Sequence, residues 1–206
     1  MAAPYVERFY SCVSAVYDLI YGRLQVFNSG RLRAPELLNL FPGARLLEVG
    51  VGTGLSIPSL PRNIEITAID LSRKMLNRAR RRLGALGRDD VRLYRMDATR
   101  LDFAENSFDR VLAAYFISAV PDPIKAVLEM KRVCKPGGSL LFLNHFHSSS
   151  GLLRFLERVL SPLFCLVGFR TDLDLEELMT AAGLQVDRVE KIDWFGHWKA
   201  VRCINP

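Results

Sequence analysis

The chain of 206 residues has little cysteine: Cys12, Cys134, Cys165 and Cys203 are far apart and form no C-x-x-C pair. That spacing excludes a disulfide framework, and four buried free thiols in a reducing compartment are expected. Histidine is scarcer still. Of the three, His145 and His147 stand two positions apart with no third ligand type close by, so no metal site is expected. Long apolar runs are missing as well. The nearest, residues 159–169, is broken by Ser161 and Pro162 and falls well short of the roughly 18–20 residues of a spanning helix. Glu7 and Arg8 interrupt the N-terminus where a signal peptide needs unbroken apolar sequence, so a cytoplasmic location is expected. No heptad or G-X-Y period runs through the chain, which excludes coiled coil and collagen.

What is present is half apolar and 24 % charged, the make-up of an ordinary folded chain in which one domain is the default. The net charge of +6 is unevenly placed. Residues 71–100 hold ten basic side chains (Arg73, Lys74, Arg78, Arg80, Arg81, Arg82, Arg88, Arg92, Arg95, Arg100) against the acids Asp89, Asp90 and Asp97. That segment has three readings: a solvated helix face, a surface for anionic lipid headgroups, or one for nucleic acid. Tyr94 is the only aromatic among these cations, which disfavours a stacking platform for single strands, and no nucleic-acid partner is expected.

From Leu46 onward short apolar runs alternate with longer helical patterns. Strands are expected over residues 45–49, 64–69, 91–96, 108–115, 139–145, 184–193 and 197–204. Helices are expected from the Ser72 cap to about Leu86, over 123–134 (with Ile124, Val127, Leu128 and Met130 on one face), 152–169 and 175–182. Alternating strand and helix means right-handed βαβ units: an α/β, doubly wound, mainly parallel sheet with helices on both faces. Ligands in such sheets sit beyond the carboxyl ends of the strands. Before this domain (residues 41–206) lies a segment, residues 1–40, in which Val6, Phe9, Val13, Val16, Ile20, Leu24 and Phe27 form an apolar helical stripe. It packs on the domain, lids the ligand site, or lies in a bilayer surface.

The first strand ends in Glu48-Val-Gly50-Val-Gly52-Thr-Gly54 and the second is followed by Asp70. Glycines at a strand-to-helix turn let a ligand touch the backbone. A carboxylate twenty residues after Gly50 can take both hydroxyls of a ribose. A dinucleotide fingerprint needs glycine at position 55, where Leu55 stands, and this counts against a nicotinamide oxidoreductase.

With Glu48, this glycine turn and Asp70 in order, residues 46–143 resemble the class I S-adenosylmethionine-dependent methyltransferases. The resemblance implies a Rossmann-like seven-stranded sheet, order 3-2-1-4-5-7-6 with the last-numbered strand antiparallel. It implies S-adenosylmethionine as cofactor and S-adenosylhomocysteine as product. It assigns Glu48, Gly50, Gly52, Gly54 and Asp70 to the cofactor. It also gives Asp97 and Ala98 to the adenine corner, Leu71 and Met75 to packing on that ring, and Ala114 and Tyr115 to the wall beside the methionine moiety. The flanks, Tyr17-Asp18-Leu-Ile-Tyr21-Gly22, FLNHFHSSSG and GFRTDLDLEELMTAAGL, look like those of bacterial phospholipid N-methyltransferases, which convert phosphatidylethanolamine to phosphatidylcholine. These are relatives of the ubiquinone and menaquinone C-methyltransferases, so methylation of a quinone or another small molecule is the alternative. A binding module with a decayed fold is the reading from another class.

Methyl transfer to an amine needs the neutral amine. An ethanolamine ammonium titrates near 10, so its deprotonation at pH 7 costs about 4 kcal/mol, which desolvation beside a cation and a local proton acceptor would supply. His145 and His147, at the end of the fifth strand, are candidate acceptors or phosphate partners. Tyr21 is expected over the methyl, with Tyr17 on the cofactor. Asn144 and Arg170, and more weakly Arg154, are assigned to the lipid. A monomer is expected, held peripherally on the inner face of the cell membrane by the N-terminal helix and the basic segment.

Overall fold

A computed structural model describes residue 8 and residues 25–145, 174–193 and 198–206. The run Leu46-Leu47-Glu48-Val49 is apolar on both faces apart from its glutamate, which suits the middle of a parallel sheet. There it lies: β1 (Arg45–Val49) pairs in parallel with β2 (Glu65–Asp70) on one side and with β4 (Phe108–Ala114) on the other. β3 (Val91–Arg95) extends the sheet beyond β2, and β5 (Cys134–His145) lies beyond β4. The antiparallel β7 (Trp198–Ile204) then joins β5 to the edge strand β6 (Gln185–Lys191). The order is β3-β2-β1-β4-β5-β7-β6, the seven-stranded Rossmann-like arrangement implied by the resemblance.

Helices cover both faces. On one, α1 (Gln25–Leu37) and α2 (Arg73–Leu86) bury Ala34, Leu37, Leu76 and Leu83 against Leu46, Ile66, Leu112 and Leu141. On the other, α3 (Pro123–Val133) and α4 (Leu175–Ala182) bury Ala126, Val127, Met130, Leu178 and Met179 against Leu47, Val111, Leu140 and Phe142. The helix ends follow capping chemistry. Ser72 accepts from the Met75 N–H at 3.3 Å, Asp122 from Lys125 N–H at 3.0 Å, and Gly87 ends α2 in the left-handed region. Cys134 and Cys203 are free and buried, and burial pushes each thiol up to about 12. Among the described residues no helix is long and apolar enough to cross a membrane.

Two details differ from the expectations. Ile124 and Leu128 are 37 % and 44 % exposed, because α3 turns the face of Ala126, Val127, Met130 and Val133 inward. β5 begins at Cys134, five residues early: Lys135-Pro-Gly-Gly is a bulge within the strand, pinned by Gly137 N–H on the Asn205 carbonyl (2.8 Å) and Asn205 N–H on the Gly138 carbonyl (2.9 Å). α1, at the end of the N-terminal segment, packs on the domain, one of the readings open from sequence, and its Arg33 pairs with Glu190 of β6. The apolar stripe of residues 6–24, the helix over 152–169, and Cys12, Tyr17, Tyr21, His147, Arg154, Cys165 and Arg170 lie outside the described residues.

Candidate active site

Strand order reverses where β1 sits between β2 and β4, so the loops leaving their carboxyl ends part into a crevice. The cleft there has a volume of about 290 Å³, the scale of a small-ligand pocket. One wall is the glycine turn. Gly50 and Val51 N–H both donate to the Ile69 carbonyl (2.9 and 3.0 Å), folding the turn onto β2. Gly50 has φ +75°, and a Cβ there would lie 2.2 Å from the Phe116 ring, so only glycine fits. Gly52, at φ +56°, has nothing within 4 Å of where its Cβ would be, which leaves the turn open to a ligand.

Asp70, ending β2, ties the turn down. Its Oδ2 accepts from Gly52 N–H at 2.9 Å and its Oδ1 from Ser72 N–H at 2.8 Å. Its carboxylate is part of the cleft lining. Leu71, Met75, Met96 and Ala98 form an apolar shelf beside it, and Asp97 closes the end while its Oδ1 accepts from the Thr99 N–H and hydroxyl, each at 2.9 Å. The opposite wall is Phe116, Ala119, Val120 and Pro121, with Asp122 and Lys125 at the rim.

Behind the turn lies a buried charge cluster. Glu48 is 1 % exposed; its Oε1 accepts from the Ser56 hydroxyl, and its Oε2 has no hydrogen-bond partner among the described residues. Burial pushes the carboxyl up to about 7, opposed by the Ser56 hydrogen bond and by Arg31. Arg31, buried on α1, lies 5.0 Å from the centre of the Tyr115 ring. Tyr115 takes φ +59°, and burial raises its phenol far above neutrality, so it stays uncharged. Its hydroxyl rests on Gly30.

Of the residues expected from sequence, Gly50, Gly52, Asp70, Leu71, Met75, Asp97, Ala98 and Tyr115 line the cleft. Glu48 and Ala114 instead border a small void behind the turn, with Arg31, Thr53 and Ser56, and Gly54, at φ +78°, sits where an added Cβ would lie 3.5 Å from Ala79 of α2. Two residues expected at the site from the end of β5 stand outside the cleft lining. Asn144 is fully buried, donating to the His145 carbonyl (2.8 Å) and accepting from the Ser118 hydroxyl (3.3 Å), so it braces the loop after β4. His145 stands edge-on to Trp198 (centroids 5.6 Å) and is not part of the cleft lining. Sequence reasoning missed Arg31 and Ser56, which sit in no motif, and Phe116, whose position next to Tyr115 is the one signal that could have found it.

These residues suit a sulfonium nucleoside. Among the described residues Glu48 Oε2 is a buried acceptor in want of a donor, Asp70 brings a carboxylate to the cleft, and the shelf beside it is apolar. Comparison with known proteins agrees. Residues 47–142 match the family described as "Methyltransferase domain". The chain is 35 % identical over 152 residues to the demethylmenaquinone methyltransferase of Renibacterium salmoninarum, covering 72 % of this chain and 62 % of that one. Its fold superposes on Haemonchus contortus phosphoethanolamine N-methyltransferase 2, solved with S-adenosyl-L-methionine, with a TM-score of 0.74 at 18 % identity, over 95 % of this chain and 57 % of that one. It is 39 % identical over 173 residues to the phosphatidylethanolamine N-methyltransferase of Cereibacter sphaeroides, covering 84 % of each. Likeness of that extent, on a sheet of this order, makes the chain a member of the class I S-adenosylmethionine-dependent methyltransferases.

Proposed function

We propose that this methyltransferase acts on the amine of phosphatidylethanolamine and on its methylated intermediates, towards phosphatidylcholine, at the surface of a membrane. The observation that carries this reading is the 39 % identity to a phosphatidylethanolamine N-methyltransferase across 84 % of both chains. The demethylmenaquinone relative is less similar and is covered to only 62 %, which keeps quinone methylation as the second reading.

S-adenosylmethionine supplies a methyl group on a sulfonium, ready for in-line displacement. The chain's part is to hold donor and acceptor close and dry. Asp70 is the partner for the ribose hydroxyls. Asp97 and the Ala98 N–H take the adenine edge, above Leu71 and Met75. Glu48 Oε2 would accept from the ammonium of the methionine moiety, and Arg31 would hold its carboxylate. The open Gly52 turn admits this end of the cofactor, and the Phe116, Ala119, Val120 and Pro121 wall excludes water from the acceptor side. An acceptor amine enters such a site neutral, because desolvation and the nearby positive charge both disfavour an ammonium. The neutral Tyr115 phenol is not the base. The candidates for that role are His145 and His147, at and just after the end of β5 in sequence.

The test is incubation of the purified chain with methyl-labelled S-adenosylmethionine and vesicles containing phosphatidylethanolamine, with a demethylated quinone in a parallel arm. Labelled mono-, di- and trimethylated lipid is expected. Label in the quinone alone transfers the assignment to the second reading, and no labelled lipid in any vesicle composition ends the first.

A further inference from the structure

We propose that the outer face of α2, with the edge strand β3, is a docking surface for an anionic membrane. α2 buries Met75, Leu76, Ala79 and Leu83 and turns Arg73, Lys74, Arg80 and Arg81 outward; it contains no acidic residue. β3 adds exposed Arg92 and Arg95 at the end of the sheet, and Arg62 beside the α2 C-terminus adds another cation through bonds to the Leu86 and Gly87 carbonyls.

The arrangement works against the helix's own stability. Arg73 and Lys74 occupy the first turn, where the helix dipole favours acids. Lys74 and Arg78, and Arg78 and Arg82, are like charges at i, i+4, which repel. Among the described residues Arg73, Lys74, Arg78, Arg81 and Arg92 have no ion-pair partner to offset this, while Arg88 is satisfied internally by Asp90 (2.8 Å) and the Ile57 and Leu60 carbonyls. A solvated face gains nothing from such crowding. A polyanionic partner relieves it.

The surface is suited to a lipid headgroup layer more than to nucleic acid. The cations of this fourteen-residue helix are spread over roughly 20 Å, and Tyr94, the aromatic within the segment, is engaged edge-on with Phe103 (6.2 Å), so no stacking platform is offered. The first turn also borders the cleft, where Leu71, Ser72 and Met75 are lining residues. Docking here therefore brings the cleft rim to the headgroup level. The inference does not depend on which molecule is methylated.

The experiment is vesicle co-sedimentation of the full chain, using phosphatidylcholine alone or mixed with phosphatidylglycerol, neither of which offers a primary amine. The comparison is with a triple variant, Arg73→Gln, Lys74→Gln and Arg81→Gln, whose fold is checked by its S-adenosylmethionine affinity. Binding to the mixed vesicles that weakens with salt is expected. At about fivefold per cation near an anionic surface, the triple variant should bind about 100-fold more weakly with its cofactor affinity unchanged. Equal binding to both vesicle types, no binding, or a triple variant that partitions like the parent overturns the proposal. So does tighter binding to duplex DNA than to the mixed vesicles.

Discussion

With Glu48 as the acceptor for the cofactor's ammonium, as proposed, cofactor binding should be a proton-linked event. Its carboxyl, pushed up to about 7 by burial, is about half protonated at pH 7. A protonated Oε2 cannot serve as an anionic acceptor for an ammonium, so binding selects the ionised form. The ionised fraction falls from about nine-tenths at pH 8 to about one-tenth at pH 6, so affinity should drop about tenfold, or 1.4 kcal/mol, across that interval. The cofactor's own α-amino group titrates near 8, which sets the upper limb, and affinity peaks between pH 7 and 8. Isothermal calorimetry at pH 7 in buffers of different ionisation enthalpy should register release of about half a proton per cofactor bound. S-adenosylhomocysteine, which keeps the ammonium, should show the same release. Glu48→Gln should abolish it and flatten the lower limb, whereas Ser56→Ala, which removes a bond that stabilises the carboxylate, should move that limb to higher pH. Heats that are the same in every buffer for the parent protein, or proton release that survives Glu48→Gln, would refute the reasoning.

The same carboxyl should cost stability in the cofactor-free protein. With the folded value raised from 4.5 to about 7, the stabilising share is present below 4.5 and is lost as pH rises through 7. Glu48→Gln should therefore raise the apo-protein's stability at pH 8 by about 3 kcal/mol and by less than half of that at pH 5.5, read by denaturant titration. Asp70→Asn replaces one of two acceptor oxygens with a donor, so it cannot satisfy both Gly52 and Ser72 N–H. Cofactor affinity should fall by at least tenfold, the loss of about 1.5–3 kcal/mol expected for a charged hydrogen bond, and an unchanged calorimetric Kd would exclude Asp70 from the site. Gly30→Ala puts a Cβ 2.6 Å from the Tyr115 hydroxyl and 3.0 Å from Ile192. Overpacking of about 1–3 kcal/mol should outweigh the gain of about 1 kcal/mol in helix propensity, and thermal melts should show the loss shrinking in a Tyr115→Phe background.

Legibility in the sequence followed how local each cause is. β1, the glycine turn and Asp70 were readable because a buried parallel strand, a tight turn and an acid at fixed spacing all write themselves into one continuous stretch. The α2 cap at Ser72 and its stop at Gly87 are equally local. The early start of β5 was hidden because Lys135-Pro-Gly-Gly reads as a break, and its place in the sheet depends on Asn205, seventy residues away. The inward face of α3 was misjudged for a related reason: Ala126 is small enough to approach the sheet, while Ile124 and Leu128 follow the same period on the outer side. Arg31 carries no local signal at all, since its role comes from packing a helix that precedes the domain's motifs against the end of β4. Asn144 looked like a polar group at a ligand edge, and only the position of Ser118 shows that its amide is spent inside the protein.

The proposed cofactor site draws its charges from three separate segments, with Arg31 on α1, Glu48 on β1 and Asp70 on β2, and this has a thermodynamic consequence. α1 holds its place by Ala34 and Leu37 in the core, by the Arg33–Glu190 pair, and by Arg31 and Gly30 against Tyr115. A ligand that gains from Arg31 gains only when α1 is docked, so it favours the docked helix by that same free energy. An arginine–carboxylate contact of about 1.5–3 kcal/mol corresponds to a slowing of local opening by roughly 10- to 150-fold. Amide hydrogen exchange in residues 28–37 should slow by that factor on saturation with S-adenosylhomocysteine, while α3, which buries its face against the opposite side of the sheet, changes far less. In Arg31→Met the cofactor should lose affinity and the protection of α1 together. Protection of α1 that survives in Arg31→Met would show that the helix is held by packing alone and that its arginine takes no part in the cofactor site.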